Sequence, residues 1–272
     1  MPTDAANARS ERSPFALAHQ WERVAPGKWA GEIAEGWLQG RAAFGGLQAA
    51  VAMRAFQSIV AQDRVPRTLT VHFAGPLGTG PASFEGEVAR EGGNVTHASG
   101  RVMQDGQPAA LVLATFGRPR EHWLRSDGER APALREPRPI RIPPAPGIPA
   151  FTQYVEMDLV EGFPYGGAER ARVQGWARFI GDDPIDAPLL SALGDVWPPA
   201  AVARMKTPRP SSSVDLTYHF VIPPPLDVAA DAFFAFEAES TAARDGYAEE
   251  RGSLWTDDGQ LVMRIRQLRA VY

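Results

Sequence analysis

Leu69-Thr70-Val71-His72-Phe73 recurs with one difference as Leu216-Thr217-Tyr218-His219-Phe220, 147 positions further along. A weaker echo, Asp105-Gly106-Gln107 and Asp258-Gly259-Gln260, follows in the same order at a separation of 153. One longer hairpin in the second copy accounts for the drift. A duplicated unit constrains a chain more than any single motif, because both copies must bury the same faces. With 272 residues there is room for two domains of moderate size.

Each copy shows the same order of elements. In the first, Lys28–Gln39 reads as an extended hairpin, followed by a helix over Phe44–Phe56 whose one charge is Arg54. A helix apolar on nearly every side belongs in a core, not on a surface. Strand-like runs follow at 67–74, 83–90, 96–104 and 109–116, separated by GPLGTGP, EGGN and DGQP turns. The second copy has extended runs at 152–159 and 172–180. Its helix is opened by Pro188 and runs to Val196. Final strands fall at 212–221, 232–240, 247–255 and 261–271. Between the copies stand prolines 119, 132, 137, 139, 143, 144, 146 and 149, which read as an extended surface connector. The expected organisation is a polar lead-in over 1–27, a first unit over 28–117, a Pro-rich linker over 118–150 and a second unit over 151–272. One buried helix and four antiparallel strands, twice, is an α+β plan with each helix wrapped by a curved sheet.

Composition narrows the function. A net charge of −4 argues against a nucleic-acid partner, which calls for a basic face. The absence of cysteine removes disulfides, thiolate metal sites and cysteine nucleophiles together. Residues 1–14 carry no apolar core of a secretory leader, and no apolar run is long enough to span a membrane. A cytoplasmic protein is the expectation. There is no G-x-S-x-G elbow. Histidines 19, 72, 97, 122 and 219 lack metal-ligand spacing, so no metal is expected. Gly75, Gly78 and Gly80 form no nucleotide loop and read as hairpin turns, and Asn94-Val95-Thr96 is a sequon of the kind that arises by chance.

Four segments carry a family resemblance. Phe44-Gly45-Gly46-Leu47-Gln48 resembles the FGGQ-like helix start of the acyl-CoA thioesterase II family, and Gly175-Trp176-Ala177-Arg178-Phe179 resembles its W-x-R strand. Leu189–Trp197 looks like its second helix, which carries an aspartate, and Ser213-Val214-Asp215-Leu216 resembles its Thr-Ile-Asp-His-like strand opening. The resemblance covers most of residues 30–272 and implies a tandem (double) hotdog fold. It also implies hydrolysis of an acyl-CoA thioester by water, without a cofactor, and an aspartate, a hydroxyl and a glutamine that hold that water. By position these are Asp195, Ser213 and Gln267, with Ser213 standing where the family more often has threonine. Independently of the resemblance, backbone N–H groups at a helix start are the usual oxyanion donors, which makes Gly45 and Gly46 candidate substrate-binding residues. By analogy with hotdog proteins a homo-oligomer is expected.

The residues support this reading unevenly. Asp195 sits near the C-terminal end of a buried helix, where burial and the helix dipole both raise a carboxyl's pKa, as a general base requires. The alternative is an aspartate capping a helix at 198–205. Gln267 shares the apolar face of the last strand with Leu261, Met263 and Ile265, and an inward amide needs partners. By the repeat offsets Gln267 corresponds to Ala114 and Ser213 to Pro66, so the first copy lacks both groups. On strict alternation Ser213 shares a face with Asp215, Thr217 and His219, which equally suits a solvated edge, and Asp215 is the rival base. Gly45 and Gly46 suit either ligand approach or close helix packing. Arg204, Lys206 and Arg209 suit either CoA phosphates or a solvated loop. Two other activities remain open: a fused-hotdog enoyl-CoA hydratase or dehydratase using an Asp/His pair, and a non-catalytic acyl- or CoA-binding protein.

Overall fold

The structure, a computed structural model, describes residues 12–121, 123–124 and 126–272. Most of the polar 1–14 segment, and His122, lie outside the described residues. The elements run α1 (Pro14–His19), β1 (Glu22–Ala25), β2 (Lys28–Ile33), a short pair β3 (Leu38–Gln39) and β4 (Ala42–Ala43), and α2 (Gly45–Gln57). Strands β5 (Val65–Phe73), β6 (Gly80–Glu91), β7 (Val95–Gln104) and β8 (Gln107–Gly117) complete the first unit. After β9 (Ile140–Arg141) come β10 (Val155–Glu161), β11 (Arg172–Phe179), α3 (Ala187–Leu193), β12 (Ser211–Phe220), β13 (Phe234–Arg244), β14 (Tyr247–Trp255) and β15 (Leu261–Val271).

Thirteen strands form one antiparallel sheet in the order β1-β2-β6-β7-β8-β5-β12-β15-β14-β13-β11-β10-β9. The two repeated strands, β5 and β12, pair with each other at its centre, and the order outward from them is the same on both sides. Thr70 lies opposite Thr217, their hydroxyls 3.1 Å apart, and these two positions are equivalent in the repeat. A pseudo-two-fold axis therefore passes through this pair. The ladders obey it: Leu216 pairs with Gln267 as Leu69 pairs with Ala114. Both central strands also break register at the same repeat position, between Ser213 and Asp215 and between Pro66 and Thr68.

One face of the sheet packs against both helices in one continuous core. Helix α2 is buried along nearly its whole length, as its uniform apolarity requires. Asp186 caps α3 by accepting from the Leu189 N–H at 3.0 Å, with Pro188 in the first turn. The two helices run antiparallel, so each presents its C-terminal end to the other's N-terminus.

Four expectations change. Residues 28–39 are not a hairpin: β2 pairs with β1 and β6, and 35–37 form a 3-10 turn leading to β3. The second helix stops at Leu193 instead of Val196. The run expected to be extended from Thr152 begins with a 3-10 turn over Ala150–Tyr154. Within the stretch read as a polar lead-in, α1 buries Phe15 against Phe179, with ring centroids 4.6 Å apart. The Pro-rich connector runs across the outer face of the second half. There the indole N–H groups of Trp176 and Trp255 donate to the carbonyls of Arg135 and Glu129, each at 2.9 Å. Among the described residues no helix is long and apolar enough to cross a membrane, and no three of His, Asp and Glu form a metal-holding group.

Candidate active site

Asp195, Ser213 and Gln267 come from three different elements and meet. Asp195 follows the end of α3 and is 8% exposed; Gln267 on β15 is 4% exposed. The Gln267 side-chain amide bridges the other two, donating to Ser213 Oγ at 2.7 Å and to Asp195 Oδ1 at 3.3 Å. Alternation along β15 accounts for the inward turn of Gln267. Alternation along β12 fails for Ser213, and the register break explains why. The extra residue at Val214 lets Ser213 turn inward while Asp215 stays on the other face. Asp215 accepts from the backbone N–H of Leu268 at 3.1 Å, so the rival base is tied into the bulge.

The capping alternative for Asp195 does not hold. The 3-10 turn over Ala200–Arg204 has no side-chain cap at its Pro199, and the Ala200 N–H donates to Glu250 Oε2 at 2.5 Å. Asp195 instead faces the N-terminus of α2, where the Gly46 N–H donates to it. A β-carbon at Gly45 would fall 2.7 Å from Asp195 Oδ2, and one at Gly46 would fall 2.7 Å from the Ala192 carbonyl oxygen. The two glycines thus let α2 approach both the carboxylate and the backbone of α3. Burial pushes the Asp195 pKa up to about 6, against the opposing pull of Arg269, the Gln267 amide and the Gly46 N–H. Desolvation wins because no partner pairs tightly with the carboxylate. Glu250, also buried, reinforces the rise. Tyr218 is fully buried beside Asp195; burial, then the carboxylate, lift its phenol well above the ordinary range, so it stays protonated.

Three further residues reach this cluster without having been singled out in the sequence: Arg269, Glu250 and Tyr218. The signal for the first two was available. Arg269 lies on the inward face of β15 in step with Gln267, and Glu250 lies on the inward face of β14 with Ala248 and Leu254. Arg204 ends its 3-10 turn and is exposed, as is Arg209, while Lys206 packs its chain near Gly167; none of them joins the cluster.

A helix-filled tandem hotdog with a buried carboxylate–hydroxyl–amide cluster in its second half is the class these observations define. The sequence matches the acyl-CoA thioesterase N-terminal domain over residues 33–117 and the acyl-CoA thioesterase C-terminal domain over residues 113–271. The chain belongs to the acyl-CoA thioesterase family. Among solved structures, a conserved hot dog fold protein of unknown function from Alicyclobacillus acidocaldarius superimposes with a TM-score of 0.87 at 24% identity, covering 96% of this chain and 99% of that one. A putative thioesterase II from Thermobifida fusca gives 0.81 at 24% identity, covering 95% and 97%. The acyl-CoA thioesterase II TesB2 from Mycobacterium marinum gives 0.74 at 20% identity, covering 95% and 96%. No curated protein sequence matches the chain. At these identities the structural likeness speaks for the double hotdog fold.

Proposed function

We propose that the protein hydrolyses an acyl-CoA to a carboxylic acid and free CoA. One observation carries this reading: the Gln267 amide joins the Ser213 hydroxyl to a buried carboxylate, Asp195. A water accepting from the hydroxyl and donating to Asp195 has its lone pair directed by those two partners. Asp195 takes the water proton as the oxygen attacks the thioester carbonyl carbon. As the resulting oxyanion collapses, the C–S bond breaks and the proton passes from Asp195 to the CoA thiolate. A base lifted to about 6 is still ionised at neutral pH, yet strong enough to take a proton.

A non-catalytic binder has no need of an amide turned onto a buried carboxylate. A hydratase working through an Asp/His pair finds no support at Asp195. Among the described residues, the histidine linked to an aspartate, His19, sits at the opposite ends of the helices and reaches Asp186 through Arg54. The test is CoA release from short-, medium- and long-chain acyl-CoAs, with wild type beside Asp195→Asn. Release that collapses in the variant supports the mechanism, and undiminished release removes Asp195 from it. No release from any chain length by folded wild type overturns hydrolysis.

A further inference from the structure

Arg269 carries a buried charge whose contacts suit no ordinary salt bridge. Its side chain is 6% exposed, and it lies between two buried carboxylates at 3.8 Å from each: Nη2 from Asp195 Oδ1, and Nε from Glu250 Oε1. Both distances exceed a hydrogen bond, and Nε has no hydrogen-bond partner. A guanidinium placed for stability alone pairs bidentately and fills its donors. Here Nη1 instead points to Ser213 Oγ at 3.4 Å, alongside the Gln267 amide. Glu250 is held in turn by the Ala200 N–H.

The molecule contains its own control. In the first half the ladder position of Arg269 is held by Phe116, opposite Pro66 as Arg269 is opposite Ser213. Glu250, opposite Gln267, corresponds to Ala98, opposite Ala114. All four first-half residues are apolar, so the fold does not require either charge. Both charges occur in the half that carries Asp195.

We infer that Arg269, seated on Glu250, is a positioning residue for the Asp195–Ser213–Gln267 cluster: it fixes the Ser213 hydroxyl and supplies the charge opposite Asp195. For catalysis this rests on the hydrolase reading; as electrostatics it does not. The groups facing Asp195 are Arg269 and Gln267 from β15, Glu250 from β14, Ser213 and the protonated Tyr218 from β12, and the amide of Gly46 from α2. Of these, Arg269 alone is cationic, so removing it leaves only the Gln267 amide and the Gly46 N–H to oppose Glu250 and desolvation.

The test compares Arg269→Met, Arg269→Lys and wild type by the pH profile of kcat/KM and by 13C NMR titration of the Asp195 carboxyl, assigned against Asp195→Asn. Arg269→Met is expected to lower kcat about 10-fold or more with KM little changed, and to move the acid limb and the carboxyl titration upward by about one pH unit. Arg269→Lys restores most of the limb position because it keeps the charge. The double variant Glu250→Gln with Arg269→Met removes the second buried carboxylate that Arg269 would otherwise leave unpaired beside Asp195, so it keeps the comparison alive if the single variant fails to fold; its limb also moves up, by less. Profiles and titrations that superimpose on wild type overturn the inference, as does an equal loss in the Lys and Met variants without any shift. Wild type that hydrolyses nothing, while the carboxyl titration still moves with Arg269, sinks the hydrolase reading and leaves the positioning role standing.

Discussion

At the scale of the residue, the site is built from a carboxylate that the fold holds against its own stability. Asp195 carries a folded-state pKa of about 6 against an ordinary 3.8. The folded protein therefore binds the proton more tightly than the unfolded chain, so this group favours folding below pH 3.8 and loses that contribution as pH rises through 6. At pH 7.5 the ionised form costs up to about 3 kcal/mol. Asp195→Asn is accordingly expected to raise the melting temperature while lowering kcat by about 10²-fold or more. In wild type, kcat/KM is expected to fall as pH drops through about 6. A variant that loses both stability and activity would show that Asp195 is a structural residue. Gln267 was legible in the sequence because its neighbours alternate and its repeat partner is Ala114. For Ser213 strict alternation leaves an inward and a solvated reading equally open, because a bulge adds one residue to a strand without marking it in the pattern. Arg269 and Glu250 were readable by the same alternation; they are the charged residues that interrupt two inward faces.

At the scale of the element, the start of α2 decides whether the site can exist. Replacing a helical glycine with alanine usually gains about 1 kcal/mol from helix propensity. At Gly46 the added carbon would meet the Ala192 carbonyl oxygen at 2.7 Å and the Phe44 ring at 2.4 Å. The ring can shift, but the backbone oxygen of α3 cannot move without the helix. Close approach should win, so Gly46→Ala is expected to destabilise by about 1–3 kcal/mol. Urea denaturation checks this, and an unchanged or higher midpoint would mean that the two helices have slack between them. Gly45→Ala places its carbon against Asp195 Oδ2 and the Phe73 ring, so activity should suffer there more than stability. The FGG run was visible as a helix start; its contacts were not, because they are made by α3 from more than a hundred residues away. The same applies to the end of α3, where a side chain at Gly194 would strike Tyr218 and Met263 at 2.7 Å.

At the scale of the whole molecule, duplication made the fold legible, and departures from duplication make the site. The repeat predicted two matched units, and their central strands pair across the pseudo-two-fold axis. What the repeat concealed is the segment that breaks it. Where α3 delivers Asp195 to the start of α2, the related place brings the end of α2 to the start of α3, and Arg54 pairs there with Asp186 at 3.0 Å. Helix α1 covers that place. The His19 Nδ1–H donates to the Phe15 carbonyl at 2.7 Å, which leaves Nε2 to accept from Arg54 at 3.2 Å. A protonated ring has no acceptor to offer Arg54, and burial, helped by the Arg54 charge, pulls the His19 pKa down to about 4. Its folded value lies below the unfolded one, so the unfolded chain takes up the proton first as pH falls. The stability held above pH 6.5 is then lost progressively down to about 4, by up to about 3 kcal/mol. His19→Gln keeps a hydrogen-bonding side chain without a titrating group. Urea denaturation at pH 7.5 and 5.0 should show wild type losing more stability between the two than the variant, with CoA release at pH 7.5 alike in both. Equal losses would mean that His19 is not held neutral. A fall in CoA release at pH 7.5 in the still-folded variant would mean that this second helix junction takes part in the chemistry instead of being closed off from it.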